Sequence, residues 1–399
     1  MAQRSSLSLW LICLGLSLGP AVSNGFARFA YGLILPEMRT DLSWTYTEAG
    51  WINTANAIGY LIGALFALAF IARWGASFMF ILGMALTALA LITSALTADF
   101  IWLSVWRVVA GIGGAPVFIA GGVLASTLFA ENKSKNALAI AVYFGGGGLG
   151  MIICGLALPY MVDWYGGAIW PLAWLLIGVL SYVAFLPSYW AAQASPAPPP
   201  APKGAAERLP TSRMLTGLTC YFCFGLGYIV YVTFLIAWMR GQGASTALVA
   251  WTWAIMGLAV LLSPFIWSRV LAGAAGGRAM ALTSLAVAIG ILIPLVDATV
   301  VGVTASAIFV GGSFFMVPTA STAFIRKNLP ALQWGGALSL FTVIFSIGQI
   351  LGPTAGGYLA DITGDNTAGL GAAGLVLFIG ALFGAMQKPI AQKSAEPVG

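Results

Sequence analysis

Apolar residues recur along the whole chain in stretches of about twenty residues, each closed by a short polar segment. A stretch of this length crosses the ~30 Å hydrocarbon core of a bilayer as an α-helix. Backbone N–H and C=O groups find no water in the lipid core and must bond to each other, which favours helices throughout. The sequence predicts twelve membrane-spanning helices over residues 9–35, 48–71, 77–96, 100–128, 136–161, 168–190, 215–239, 246–271, 279–296, 300–325, 335–359 and 367–386.

The composition is that of a membrane protein, because 60% of the 399 residues are hydrophobic and only 7% are charged. Soluble domains carry about 25% charged residues. The net charge of +6 does not indicate nucleic-acid binding, because the positive residues are sorted by loop. The chain has no histidine and no carboxylate deep in a predicted helix, so we predict no metal site and no cofactor.

Lysine and arginine residues are concentrated on one side of the predicted membrane. With the N-terminus inside, thirteen of the 17 fall in inner loops and tails, and only Arg39 and Arg240 fall in outer loops. This distribution predicts a multi-pass protein of the bacterial inner membrane with both termini cytoplasmic. The apolar run 7–18 behind Arg4 also fits a signal peptide, but the apolar pattern continues past Pro20, which favours a retained first helix.

Two halves of the chain resemble each other across a linker. Residues 191–213 are Pro/Ala-rich and basic, which is typical of a semi-rigid linker. Pairs of identical residues lie 200 or 198 positions apart: Gly25 and Gly225, Tyr31 and Tyr231, Trp51 and Trp251, Gly113-Gly114 and Gly311-Gly312, Tyr160 and Tyr358, Asp163 and Asp361, Gly166 and Gly364. This repeat predicts two six-helix bundles, over residues 1–190 and 214–399, that rock around a site near the middle of the membrane.

Three motifs resemble those of the major facilitator superfamily, and the resemblance covers the full chain. Residues 107–115 are similar to the family's Arg-x-x-x-Gly motif in the fourth helix, and residues 73–75 keep part of its loop motif. Ala72 and Ala76 replace the acidic and basic residues usual in that loop. Residues 348–357 have the form of the antiporter motif but lie in helix 11 rather than helix 5, so they do not indicate the direction of transport.

Within the superfamily, residues 25–31 with Pro36 and residues 57–63 resemble the YbfB/YjiJ-type branch. The resemblance implies an all-α membrane protein with twelve transmembrane helices in two pseudo-symmetric six-helix bundles, the major facilitator fold. It also implies a transporter rather than an enzyme, with helices 1 and 4 lining a central cavity.

Arg28 and Arg107 are the only formal charges deep inside predicted helices. A charge in a membrane helix costs roughly 2.5–3.5 kcal/mol on insertion scales, so it normally faces a cavity or a partner. Both lie about 10 Å below the outer surface, counted at 1.5 Å per residue. Two guanidiniums at one depth predict a site for a carboxylate or a similar anion. Alternatively, Arg107 serves proton coupling, or is structural and bonds helix-end carbonyls, Asp99 or Glu37.

Polar and aromatic residues on facing helices complete the predicted site. The substrate-binding candidates are Arg28, Arg107, Asn24, Tyr31, Tyr60, Phe118, Tyr228, Tyr231 and Gln349. The coupling or gating candidates are Arg107, Arg73 and Glu48, although Glu48 also fits a capping box with Thr45. An aromatic stripe is also typical of plain helix packing. A cavity that is cationic on one side and aromatic on the other suits an organic anion with an apolar body.

The sequence therefore predicts a secondary active transporter that moves a small organic anion of the carboxylate type across the inner membrane by alternating access. The alternative is a proton-coupled multidrug or metabolite efflux antiporter, which the aromatic residues and the motif at Arg107 favour. The predicted partners are the lipid bilayer, an anionic small molecule, and either protons or a counter-anion. The protein is predicted to be a monomer that binds no nucleic acid.

Overall fold

The computed structural model describes residues 6–197 and 209–390, and these form twelve helices long and apolar enough to cross a membrane. We number them helix 1 to helix 12: Ser6–Asp41, Tyr46–Trp74, Ala76–Ser94, Phe100–Thr127, Lys133–Tyr165, Gly167–Ala194, Thr211–Gly241, Thr246–Gly273, Arg278–Val296, Val300–Asn328, Ala331–Thr363 and Thr367–Met386. The described residues contain no β-strand. The predicted all-α fold class and its twelve helices are confirmed.

Polar caps define the starts of helices 2 and 4, and helices 2 and 11 extend beyond their predicted ends. At the start of helix 2, the Thr45 hydroxyl accepts the Glu48 N–H and the Glu48 carboxylate accepts the Thr45 N–H, which confirms the capping box. Asp99 caps helix 4 by accepting the Trp102 N–H. Helix 11 continues to Thr363, so Asp361 lies in its last turn and not in a loop as its predicted end implied.

Two helices depart from regular α-geometry near their centres, where an uninterrupted helix was predicted. Helix 1 becomes a π-helix over Ala21–Phe29, and the Ala30 N–H donates to the Gly25 carbonyl five residues earlier. Helix 10 consists of two α-helices, Val300–Gly311 and Met316–Asn328, joined by a turn. Such π-segments occur frequently at functional sites, because they change the direction of the side chains that follow.

We refer to helices 1–6 as the N-terminal half and to helices 7–12 as the C-terminal half. Helix 6 ends at Ala194 and helix 7 begins at Thr211. Residues 198–208 of the predicted linker lie outside the described residues. The division into two bundles joined by a linker over 191–213 therefore stays a prediction.

The halves pack mainly along two helix pairs, helix 5 against helix 8 and helix 2 against helix 11, and the end of helix 1 packs against helix 7. Where helices 5 and 8 cross, a Cβ on Gly148 or on Gly257 would overlap the carbonyl oxygen of the other glycine. Only glycine permits this close backbone contact, which is typical of membrane helices packed through small residues. We call the end of the bundle where helix 1 ends and helix 2 begins the outer end, following the predicted topology.

Candidate functional site

Arg28 lies in the π-helical segment of helix 1 and is only 4% exposed. Its Nε and Nη2 atoms have no hydrogen-bond partner among the described residues. No carboxylate of the described residues forms an ion pair with Arg28. Its Cζ atom lies 4.9 Å from the centre of the Tyr60 ring on helix 2, a cation–π distance. A cation removed from water with free donors is a suitable ligand for an anion.

Arg107 on helix 4 is fully buried, and its three guanidinium nitrogens have no hydrogen-bond partner among the described residues. Its Cζ atom lies 5.6 Å from the Tyr31 ring centre and 5.0 Å from that of Trp174. Two aromatic faces therefore enclose this cation inside the N-terminal half. The structural alternative, in which Arg107 bonds Asp99, Glu37 or helix-end carbonyls, is wrong.

The surroundings of the two arginines differ. The Arg28 guanidinium lies over the Tyr60 ring of helix 2. Arg107 meets Tyr31 and Trp174, both in its own half. Arg28 also lies near the end of the π-segment, whereas Arg107 lies in a regular α-helix.

Two of the predicted tyrosines are committed to hydrogen bonds within their own halves. The Tyr31 hydroxyl donates to the Ala49 carbonyl at 2.7 Å, and the Tyr231 hydroxyl lies 2.7 Å from the Ser306 hydroxyl. Both side chains are fully buried. In this conformation their hydroxyls stabilise packing between helices and face no open space.

The other predicted substrate-binding residues remain near the centre. Asn24 is buried and donates weakly to the Ser23 hydroxyl at 3.3 Å. Phe118 is half-buried and stacks on Phe315 of the opposite half, with ring centres 6.2 Å apart. Gln349 donates to the Tyr228 hydroxyl, and its Oε1 has no partner among the described residues.

Four aromatic rings of the C-terminal half form a group that we call the ring stack: Phe224, Tyr228, Phe314 and Phe345. Tyr228 occupies its middle and contacts the other three with ring centres 4.7 to 5.9 Å apart. Phe29, next to Arg28 in the chain, meets Phe314 edge-on at 5.6 Å. The segment of helix 1 that carries Arg28 therefore lies against the ring stack.

Of the predicted coupling residues, Glu48 serves the capping box, which accounts for its carboxylate without a coupling role. Arg73 is exposed near the end of helix 2 opposite the outer end. Among the described residues, no group of histidine, cysteine and acidic side chains is able to hold a metal ion. A cavity of about 360 Å³ lined by Trp238, Gln242 and Thr299 lies at the outer end, away from Arg28, and no charged side chain lines it.

A set of contacts that we call the outer seal joins helix 2 to helices 7 and 11 of the opposite half. The Asp361 carboxylate accepts the Tyr46 N–H at 2.7 Å, the Thr47 N–H at 2.9 Å and the Thr47 hydroxyl at 2.6 Å. Asn53 donates to the Thr233 hydroxyl at 2.6 Å, and Thr54 donates to the Ile350 carbonyl at 2.9 Å.

Among the described residues, one further hydrogen bond joins the two halves, between the Thr54 and Thr354 hydroxyls beside the outer seal. All other hydrogen bonds between described residues of the two halves belong to the outer seal. All of them lie in the first third of helix 2. Arg39 adds a cation–π contact to the same place, with its Cζ 3.9 Å from the Tyr46 ring centre. The two halves are thus bonded together between Arg28 and the outer end.

Sequence reasoning did not identify Trp174, Phe314 or Phe345 as site residues, and it placed Asp361 in a loop. The repeat pair Asp163 and Asp361 was a signal for Asp361, because a carboxylate retained at both positions marks a common helix end. No comparable signal exists for Trp174, which becomes relevant only when helix 6 packs beside helices 1 and 3 and its ring meets Arg107 of helix 4.

Comparison with known proteins identifies the family and supports the fold. The family described as uncharacterised MFS-type transporter YbfB matches residues 20–384. Among solved structures, the nucleoside transporter NupG (D323A mutant) has a TM-score of 0.67 at 16% identity, covering 94% of this chain and 98% of that one. A bacterial homologue of the human lysosomal transporter Spinster also scores 0.67 at 17% identity, covering 96% and 98%.

Three curated relatives are similar at lower identity. The niacin transporter NiaP of Acinetobacter baylyi is 24% identical over 172 residues, which cover 43% of this chain and only 37% of that protein. Monocarboxylate transporter 11 of Mus musculus is 25% identical, covering 90% and 83%. The inner membrane transport protein YdhP of Escherichia coli (strain K12) is 22% identical, covering 86% and 87%. The chain is a membrane transporter of the major facilitator superfamily and belongs to its YbfB-type family.

Proposed function

We propose that this transporter moves a small organic anion of the carboxylate type across the bacterial inner membrane by alternating access. One observation carries the proposal: Arg28 is buried at the junction of the two halves and holds free guanidinium donors. A carboxylate would accept two of these donors and neutralise the charge. Substrate binding would thereby remove most of the cost of an unpaired cation in this environment.

Arg107 has a different part in this proposal. Its enclosure by Tyr31 and Trp174 keeps it from direct contact with a substrate in the present conformation. We therefore assign substrate contact to Arg28 and coupling or gating to Arg107.

The outer seal supports alternating access. It bonds the halves together above Arg28, so in this proposal the substrate reaches Arg28 from the cytoplasmic end in the present state. Opening the outer end requires Asp361 to leave the N-terminus of helix 2, where the helix dipole and free N–H groups stabilise its carboxylate. Closing around the anion on the other side would complete the cycle.

The names of two of the three curated relatives support the proposal of a carboxylate substrate. One is named a niacin transporter and another a monocarboxylate transporter, and both names denote cargo with one carboxylate. The nucleoside transporter is similar only in fold, at 16% identity. The driving ion, either a proton or a counter-anion, is not part of this proposal.

A proton-coupled efflux antiporter for drugs or metabolites is the second candidate, and the ring stack favours it. Stacked aromatic faces bind lipophilic cations as well as apolar molecules. Arg28 opposes a cationic ligand in the same place, however, because no acidic side chain of the described residues pairs with it. The carboxylate proposal therefore uses both features of the site, whereas the antiporter candidate uses only the rings.

Thermal stabilisation of the purified full-length protein by ligands distinguishes the two candidates. Acetate, benzoate, succinate and the lipophilic cation tetraphenylphosphonium would each be added at one ionic strength. We expect at least one carboxylate to raise the melting temperature in the wild-type protein and not in Arg28→Gln. Arg269→Gln, which removes an exposed arginine, is the matched control and should respond like wild type. Stabilisation by the cation alone would overturn the carboxylate proposal.

A further inference from the structure

We infer that Tyr60 is a positioning residue of the anion site, whose ring face holds the Arg28 guanidinium in place and leaves its N–H groups free for the substrate. The inference rests on the proposed function, in which Arg28 binds the carboxylate, and it adds the residue that orients this ligand. Three features carry it: the contact between the cation and the ring, the packing of the backbone at Tyr60, and the internal repeat.

Arg28 contacts the face of the Tyr60 ring, with its Cζ atom 4.9 Å from the ring centre. No hydrogen bond joins the Tyr60 hydroxyl to Arg28 or to any other described residue. A carboxylate in this place would neutralise the cation and occupy its N–H groups. A ring face attracts the cation through its quadrupole, without the directed lone pairs that claim those N–H groups. The contact therefore stabilises a buried charge and keeps its donors available.

Arg107 shows what a second ring does to a guanidinium. Its Cζ atom lies between Tyr31 and Trp174, 5.6 Å and 5.0 Å from the two ring centres. Among the described residues, Tyr60 is the only ring at a cation–π distance from Arg28. Both buried cations are thus stabilised by rings, because no carboxylate of the described residues pairs with either. Two rings enclose Arg107, whereas one ring orients Arg28.

The backbone that carries Tyr60 is held in place by close packing of helix 2 on helix 4. A Cβ on Gly59 would lie 2.0 Å from the Val108 carbonyl oxygen, and a Cβ on Gly63 would lie 2.4 Å from the Ile112 carbonyl oxygen. Main-chain contacts this close require glycine and are typical of tightly packed membrane helices. Tyr60 follows the first glycine directly and precedes the second by three residues. Its ring therefore extends from a backbone that is fixed on both sides.

The internal repeat varies Arg28 and Tyr60 together. Arg28 is matched 200 residues later by Tyr228, and Tyr60 is matched at the same offset by Val260. The half without the cation at this position thus also lacks the ring. This is expected if the ring serves the cation, and it is not expected if an aromatic residue is needed only for packing at this point of helices 2 and 8.

Variants of Tyr60 test the inference on the full-length protein by isothermal titration with benzoate in detergent. Tyr60→Phe keeps the ring face and should bind benzoate within about twofold of wild type. Tyr60→Leu removes the ring, so the guanidinium is no longer held in one orientation and must be ordered when the anion binds. We expect Tyr60→Leu to bind benzoate about three- to thirtyfold more weakly. Tyr60→Met should act in the same direction, which guards against one poorly folded variant.

A matched control and a readout without ligand complete the experiment. Tyr182→Leu removes an exposed tyrosine of helix 6 that contacts no arginine of the described residues, and it should bind benzoate like wild type. Tyr60→Leu should lower the melting temperature by about 2 °C more in the presence of Arg28 than in the Arg28→Gln background, because only the former loses a cation–π contact.

The outcomes separate this inference from the proposed function. Wild-type affinity in Tyr60→Leu and Tyr60→Met, with binding lost in Arg28→Gln, would overturn the positioning role and leave the carboxylate proposal intact. A loss in Tyr60→Phe as large as in Tyr60→Leu would assign the effect to the hydroxyl and would also overturn it. An equal fall in melting temperature in both backgrounds would overturn the cation–π contact as the cause. If the wild-type protein binds none of the carboxylates, or if binding survives Arg28→Gln, the proposed function fails as well.

Discussion

The two halves of the transporter share a repeat but differ in the chemistry they bring to the centre. Tyr228 occupies the position in the C-terminal half that Arg28 occupies in the N-terminal half, 200 residues earlier. Arg107 is matched, 198 residues later, by Ala305. The N-terminal half thus contributes both buried cations, and the C-terminal half contributes the ring stack.

The same division appears in the helices that carry these residues. Helix 1 contains a π-segment at Arg28, whereas helix 7 runs as one α-helix over Thr211–Gly241. Helix 4 is one α-helix over Phe100–Thr127, whereas helix 10 is interrupted just before Met316. In each half, the helix that carries a central side chain departs from regular α-geometry at that side chain. In the N-terminal half this side chain is Arg28, and in the C-terminal half it is Phe314. A common scaffold therefore supports two different surfaces.

The largest expected effect is the difference in benzoate affinity between variants of the two buried arginines of the N-terminal half. Arg28→Gln should weaken benzoate binding about 10- to 100-fold, because charge-assisted hydrogen bonds are lost. Arg107→Gln should weaken it by less than about threefold, since Tyr31 and Trp174 enclose that side chain. Titration of both variants decides the matter. A greater loss in Arg107→Gln would mean that the arginines exchange roles on binding.

The next effect concerns the pair Asp361 and Asp163, which occupy equivalent positions in the repeat. Asp361 accepts three hydrogen bonds at the start of helix 2, whereas Asp163 is exposed and bonds no other described residue. Asp361→Ala should shift the population toward an open outer end about 5- to 30-fold, from about 1–2 kcal/mol of capping energy.

Distances between spin labels at Ala98→Cys and Ala298→Cys, both exposed in outer loops of opposite halves, measure this shift. Asp163→Ala is the control and should leave the distance distribution unchanged. If both variants behave alike, the outer seal does not hold the two halves together.

The smallest expected effect compares Tyr31 and Tyr231, another equivalent pair. Each hydroxyl makes one hydrogen bond inside its own half. Tyr31→Phe and Tyr231→Phe should each reduce stability by about 0.6 kcal/mol, a typical value for such bonds in membranes, and leave benzoate affinity unchanged. Melting temperatures and titration check both points. A loss of affinity in one variant alone would assign that tyrosine to the site.

Hydropathy was sufficient to predict the twelve helices, because each must fill the apolar thickness of the bilayer. It was also sufficient to identify Arg28 and Arg107, since charges stand out in an apolar chain. Helix ends were predicted too short at Asp361, because capped turns beyond the hydrocarbon core carry no hydropathy signal.

The arrangement around the arginines was not predictable from sequence. The π-segment at Arg28 packs closely against helix 5, where a Cβ on Gly25 would overlap the Gly150 backbone. Trp174 and Phe345 meet their partners only through contacts between helices far apart in the chain. Periodicity within one helix contains no information on such contacts.

Uptake of radiolabelled benzoate into proteoliposomes tests the central claim most directly. The account predicts saturable uptake by the wild-type protein and by the Arg269→Gln control at the same level. It predicts no uptake above background by the Arg28→Gln variant, provided that this variant melts at the same temperature as the wild-type protein. Uptake by the Arg28→Gln variant at the wild-type level would contradict the assignment of Arg28 as the anion ligand.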